Sequence, residues 1–494
     1  MQSSSSHRWL SLVLLCSATF MTILDGSIIN VVLPTIQHEL GFTIANLQWI
    51  ITGYALTYGG FLLFAGRASD LFGRRRLFLA GVILFSLASL LCGLAPSQLL
   101  LITSRLVQGV GGALLTPSAL ALIVTLFAEG PERNRALGIY GGLSALGAGV
   151  GALLGGLLTS TLGWRWVFFV NVPVGVLVII LTPFLLREST LAQQNRRIDI
   201  GGALLITTGF ALLVYGAAQA GQAGVQILAV GVPLGLGTLL LVAFVLLEQR
   251  VEVPLIRLSI FRIRPLTGAN LLSLLFPGLF GATLFLLTLY MQQVLKFSPL
   301  QTGLALLPLV LFIIISSAFT ALMAGRLGLR PMLIGGVIAM ALGLVLLMRI
   351  APSGTYLTSV LPGIIAFGIG FGILLNTTLI AATAGVSNEE QGLASGLINT
   401  ANQVGTAVII ATLIATSAVR THLLDLTART SIDHQQALIG GYRFTFFIGL
   451  GLLLLALLII LVFIDNKKVQ NTSTPAREPD VLEIEPHGEK SRVL

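Results

Sequence analysis

The polarity pattern along the chain is a series of long apolar runs separated by short polar breaks. With about 20 mostly apolar residues needed to cross a bilayer, fourteen runs qualify: 9–34, 47–66, 77–95, 99–128, 136–160, 167–187, 198–219, 226–247, 266–290, 301–324, 331–350, 356–384, 393–418 and 441–465. The pattern therefore predicts an all-α polytopic membrane protein with fourteen spanning helices. The last thirty residues are polar, contain Pro475 and Pro479 and alternate in charge, a composition that predicts a disordered tail. The polar stretch near 419–440 is expected to lie outside and to carry a short amphipathic helix.

Charge fixes the expected orientation. Basic residues collect on the cytoplasmic side of short loops. With the N-terminus inside, eighteen arginines and lysines fall on the inner side, among them Arg8, Arg67, Arg74, Arg75, Arg76, Arg326, Arg330, Lys467 and Lys468. Six fall outside: Arg165, Lys296, Arg349, Arg420, Arg429 and Arg443. Losing one helix from the count would reverse the later loops and spoil this asymmetry, so both termini are placed in the cytoplasm. Only 10% of the 494 residues are charged and 55% are hydrophobic, too few charges for a soluble surface at this length. The net charge of +9 is then a property of inner loops, and no nucleic-acid partner is expected.

The same inventory excludes other classes. Cys16 and Cys92 both lie in apolar runs, which gives no disulfide framework and no metal site. The five histidines, at 7, 38, 422, 434 and 487, all fall outside the runs, so a membrane-embedded enzyme, the alternative from another class, has no cluster of His, Asp or Glu to work with. No GxxxxGK[ST] loop is present to power an ATP-driven pump. His7 and Arg8 precede the first run as in a secretory signal, but no small-residue cleavage site follows, and residues 9–34 are expected to stay as the first helix.

Two loops echo one another. "GRASDLFGRRRLF" follows the second run and "GRLGLRPML" follows the tenth. This spacing suits two six-helix halves, residues 1–195 and 251–465, with two helices inserted at 196–250 and a cytoplasmic tail at 466–494; transporters often combine repeats of this kind around a mid-membrane site. In the first loop, Gly66 and Gly73 permit a tight turn, while Asp70 with Arg74 and Arg75 could form a latch that breaks during gating; a simple basic anchor is the plainer alternative. In the fifth run Gly147, Gly151 and Gly155, with Gly156, form a stripe that lets another helix pack closely.

These motifs resemble those of a known family. Gly66, Asp70, Gly73, Arg74 and Arg75 resemble the loop signature of the major facilitator superfamily, with Ala68 and Ser69 as mild departures. "LDGSIINVVLP", "RLVQGVGGALLTPSAL" and "GLASGLINTANQVGTAV" resemble signatures of its fourteen-helix drug:proton antiporter (EmrB/QacA-like) family, and the likeness runs from residue 9 to 465. Ala152 stands where that family has a proline in the fifth helix. The resemblance implies the major facilitator fold and export of small amphipathic or cationic compounds, driven by a proton gradient with no cofactor. The expected setting is a monomer in a bacterial plasma membrane, with a small molecule, protons and lipid as its partners. A transporter of one metabolite or self-made product is the alternative.

Within this frame one charged pair stands out. Asp25 is the only acid deep within a run and Arg105 the only deep base. If the first helix ends near Pro34, both lie in the outer half, about 14 and 9 Å below its surface. An ionisable residue in the bilayer costs several kcal/mol and is a functional suspect by default. Two readings stay open: a static buried ion pair, or a carboxylate that carries the proton with Arg105 modulating it. The polar positions Asn30, Tyr54, Gln108, Asn270, Tyr290, Asn376, Asn399 and Gln403 are candidates for the substrate cavity, each with inter-helix hydrogen bonding as its plainer role.

Overall fold

A computed structural model describes residues 5–127, 130–186, 188, 199–220, 226–251, 258–383, 386, 391–426 and 430–464. The described residues form helices and turns with no strands, as expected where the bilayer offers the backbone no hydrogen bonds and each helix must satisfy its own. In chain order the α-helices are α1 (Ser5–Leu40), α2 (Ile44–Leu47), α3 (Trp49–Phe72), α4 (Arg74–Gly93), α5 (Gln98–Leu126), α6 (Pro131–Thr161), α7 (Trp166–Phe169), α8 (Asn171–Leu185), α9 (Ile200–Ala220), α10 (Ile227–Glu248), α11 (Arg264–Leu289), α12 (Pro299–Ala305), α13 (Leu307–Leu327), α14 (Leu329–Leu347), α15 (Leu361–Thr383), α16 (Gln391–Asp425) and α17 (Ser431–Phe463). Each predicted run corresponds to a helix or, for the sixth and tenth, to a short helix joined to a long one. Twelve segments are long and apolar enough to cross a membrane among the residues searched, α3 and α6 being the two further long helices. The tail beyond residue 464 lies outside the described residues.

Two boundaries differ from expectation. Pro34 does not end the first helix: α1 runs through it to Leu40. Proline removes one backbone donor, a loss that neighbouring helices can absorb in a membrane bundle. The segment near 419–440, expected to lie outside, holds no separate amphipathic helix among the described residues, because α16 and α17, of 35 and 33 residues, extend into it. Thr430 and Asp433 form a capping box at the start of α17.

The two six-helix sets meet near the Leu40 end of α1. Gln292, in a π-helical turn at Tyr290–Val294, donates to the Val31 carbonyl at 2.8 Å, and Gln293 donates to Gln37 at 2.9 Å. Close by, a Cβ on Gly303 would lie 2.6 Å from the Ala152 carbonyl, so α12 sits directly on α6. Further along, Gly59 of α3 abuts Gln403 and Val404 of α16. Helix α9 covers this seam: Ala55 and Leu56 of α3, Val214 of α9, and Ala407 and Ala411 of α16 form one buried cluster.

Candidate functional site

The centre of the first six helices holds a buried polar cluster. Asp25 projects from α1 and Arg105 from α5, and they are 0% and 1% exposed. Arg105 Nη1 donates to Asp25 Oδ2 at 2.5 Å. The same Nη1 donates to Gln108 Oε1 at 2.7 Å, and Arg105 Nε donates to the Ile50 carbonyl of α3 at 2.8 Å. Gln108 Nε2 turns back to Asp25 Oδ1 at 2.9 Å, and Asn171 Nδ2 of α8 reaches the same oxygen at 3.1 Å. The Tyr54 ring lies under the guanidinium, 4.4 Å from its carbon. Three donors thus surround one carboxylate, and aromatic and backbone groups hold its counter-ion, which is how a charge pair becomes tolerable away from water.

Sequence spacing put Asp25 and Arg105 at depths that would allow contact; the depths differ from that reading. Because α1 continues to Leu40, Asp25 lies fifteen residues from that end, about 22 Å along the helix axis. Gln98 at the start of α5 donates to the Leu40 and Gly41 carbonyls, so the two helix ends coincide. The length of the arginine side chain and the packing of the helices bring the groups together.

The glycine stripe places α6 on the same helix as the acid. A Cβ on Gly147 would lie 2.7 Å from Ile23, one on Gly151 2.7 Å from Ser27, and one on Gly155 2.7 Å from the Ile28 carbonyl. Gly156 faces the other way, 2.6 Å by the same measure from the Pro299 carbonyl next to α12. The stripe is therefore a contact face on both sides of Asp25, with its last member turned to the opposite half. Gly26, next to the acid, has no atom within 4 Å of where a Cβ would be, so α1 borders open space there. Asn30, one turn on, donates to the Gly26 carbonyl at 3.2 Å, and its Oδ1 is buried without a partner.

The other cavity candidates separate. Gln108 and Tyr290 are fully buried and Tyr54 nearly so; Gln108 and Tyr54 belong to the charged cluster. Tyr290 does not line a cavity: its hydroxyl donates to the Ala351 carbonyl at 2.8 Å. Asn270 bonds within its own helix to the Leu266 carbonyl, and Asn376 bonds across to the Ser317 carbonyl of α13. Asn399 is exposed and Gln403 half-buried on one face of α16.

The loop motif is a helix junction that a second acid also engages. Gly66 lies inside α3, so it makes no turn; the chain turns at Gly73, at φ +106°. The side chain of Asp70 lies outside the described residues. Among the described residues, Glu188, which follows α8, engages the loop: it accepts the Arg75 backbone N–H at 3.1 Å and lies 3.6 Å from Arg76 Nε. Arg75 Nη1 donates to the Leu186 carbonyl at 3.1 Å, and Arg74 Nη1 to the Ala121 carbonyl at 3.3 Å.

Sequence reasoning missed Asn171 and Glu188. Asn171 was legible as the one amide in the apolar stretch "WVFFVNVPVGV". Glu188 sits 113 residues from its partner, and no local spacing announces such a contact.

Comparison with known proteins agrees with this architecture. Residues 15–410 match the Major Facilitator Superfamily. The chain is 40% identical over 475 residues to the puromycin resistance protein of Streptomyces alboniger, covering 94% of this chain and 93% of that one. It is 38% identical over 415 residues to the cephamycin export protein of Amycolatopsis lactamdurans, covering 83% and 85%. A bacterial homolog of the human lysosomal transporter Spinster, in an inward-facing and occupied conformation, superposes with a TM-score of 0.64 at 17% identity, over 94% of this chain and 98% of that one. By profile and by relatives alike, this chain belongs to the Major Facilitator Superfamily.

Proposed function

We propose that this protein exports small amphipathic, drug-like compounds across a bacterial plasma membrane by proton-coupled alternating access, as one of the fourteen-helix antiporters. The observation that carries the reading is the isolated Asp25–Arg105 pair, a titratable carboxylate 0% exposed in the core of the first six helices. A purely structural pair is often no better than well-packed apolar residues. A carboxylate that must lose and regain its proton needs an alternative partner for each state, and this cluster surrounds Asp25 with amides from two helices. The relatives named for puromycin resistance and cephamycin export support the outward direction and the substrate class.

In this reading the proton weakens the hold of the carboxylate on Arg105 and frees α1 to move against α5. Each proton that crosses inward supplies about 2.3 kcal/mol per 100 mV, which drives the substrate outward. The open space beside Gly26 supports a substrate path on the α1 face next to the acid, with Asn30 and the α16 face of Asn399 and Gln403 as candidate polar contacts. Inside-out vesicles energised with an imposed pH gradient test this directly: they should accumulate puromycin and cationic dyes, and collapse of the gradient should release them. Vesicles that carry the protein yet show no gradient-dependent accumulation of any such compound would contradict it.

A further inference from the structure

The surroundings of Asp25 suit an anion and nothing else as they stand. Arg105 Nη1 donates to Oδ2, and Gln108 Nε2 and Asn171 Nδ2 both donate to Oδ1. A carboxylic acid must itself donate a hydrogen, and among the described residues only donors are bonded to its two oxygens. Protonation at Oδ1 would set the acid hydrogen against two N–H groups. One amide has to turn over, and the structure distinguishes which.

Gln108 is locked. Its Oε1 accepts from Arg105 Nη1 at 2.7 Å, so reversal would press an NH2 group against the guanidinium. Asn171 is free to reverse. It is 1% exposed, and its Oδ1 is buried without a partner, so no bond on that side opposes the turn. Its Nδ2 also donates to Ser89 Oγ at 3.0 Å, and a hydroxyl can exchange the role of acceptor for that of donor. Ser89 now donates to the Phe168 carbonyl, which also receives the Val170 N–H. Ser89 can therefore swing to the reversed amide without orphaning that carbonyl. One amide atom of Asn171 stays unpartnered in either orientation: Oδ1 now, Nδ2 after reversal.

We propose that Asn171 is a positioning residue for proton coupling: its side-chain amide donates Nδ2 to the ionised Asp25 and turns over to accept through Oδ1 from the protonated acid. This rests on the reading of Asp25 as the proton carrier. No covalent step beyond proton transfer is involved; a proton from water adds to Oδ1, and the amide rotates about its Cβ–Cγ bond. The other titratable or charged groups around the acid are Arg105 of α5, Tyr54 of α3 and Cys92 of α4, whose thiol lies 3.8 Å from Gln108 Oε1. On α6, Tyr140 engages Thr19, well over a turn away from Asp25 along α1. Of these, only Arg105 is hydrogen-bonded to the acid, and it donates.

The test is an infrared pH titration of the purified full-length protein in lipid. The protonated-carboxyl band of Asp25 is identified by its absence in Asp25→Asn. Replacing Asn171 by Leu removes a donor that favours the ionised form, so half-protonation should move up by about one pH unit, tenfold in proton affinity. Asn171→Ser, which can both donate and accept, should stay near the wild type. With isotope-labelled asparagine, the side-chain carbonyl band that vanishes in Asn171→Ser should shift to lower frequency as the carboxyl protonates, since Oδ1 passes from unpaired to accepting. A merely structural asparagine would leave that band fixed, and a fixed band overturns the proposal even if Asn171→Leu fails to fold. An unmoved midpoint in Asn171→Leu overturns it too. Absence of any Asp25 band in the wild type at every pH instead removes the proton-carrier reading, and this proposal with it.

Discussion

The junction between α3 and α4 and the junction between α13 and α14 use the same backbone turn with different chemistry around it. Each turns on a glycine at positive φ, Gly73 at +106° and Gly328 at +85°. In each, the arginine two residues later donates to a carbonyl at or near the end of the sixth long helix of its half: Arg75 to Leu186 and Arg330 to Leu461. The first junction adds a carboxylate, Glu188, seated against Gly73 and the Arg75 N–H. The centres of the halves differ in the same sense. The first buries an Asp–Arg pair in a web of amides; at the core of the second, Phe280 stacks on Phe371 with ring centroids 4.1 Å apart. The two halves thus share a turn geometry, while among the described residues only the first buries an Asp–Arg ion pair.

The largest break in that asymmetry should come from Arg105→Ala. It leaves Asp25 buried without its counter-ion, and such losses run to about 3–5 kcal/mol; thermal unfolding in detergent should fall sharply. Arg330→Ala, at the half-exposed counterpart of Arg75, should change stability by no more than about 0.5 kcal/mol. Equal losses would erase the distinction between the halves.

Next in size is Gly151→Leu. Even a Cβ there meets Ser27 and the Leu24 carbonyl, so the larger side chain must push α6 from α1 beside the acid, and transport should be lost with folded protein much reduced. Gly335 on α14 has nothing within 4 Å of where a Cβ would sit, and Gly335→Leu should be silent in both assays.

The smallest predicted effect belongs to the junction. Glu188 is partly exposed and Arg76 largely so, so the pairing adds about 1 kcal/mol at most. Glu188→Gln should therefore leave protein level and thermal stability unchanged while slowing substrate efflux several-fold, on the order of the rate change that 1 kcal/mol permits. An unaltered rate would reduce the junction to a basic anchor, as Arg330 is in the second half.

What could be read from the chain and what could not divide along physical lines. All fourteen helices were legible because a bilayer imposes one length and one polarity on every span. Asp25 and Arg105 were legible because charge in such a span is rare and expensive. Tyr290 misled, since a polar tip in an apolar helix looks the same whether it meets a cavity or the Ala351 carbonyl. Gly66 misled likewise, because glycine permits a turn without requiring one, and α3 continues through it. Asn171 and Glu188 escaped notice because their partners are set by how helices cross, which no spacing within one helix records.

The central claim is that Asp25 couples transport to protons, and it is tested most directly by comparing wild type with Asp25→Asn in inside-out vesicles at matched protein level. Two rates are measured: uptake of a transported compound against its gradient under an imposed pH difference, and exchange of labelled for unlabelled compound with no gradient. The account predicts that Asp25→Asn abolishes gradient-driven uptake while exchange persists, since the fold and the α1 face remain and only the proton step is lost. Full gradient-driven uptake by Asp25→Asn would contradict it, and would leave the buried pair as a structural strut.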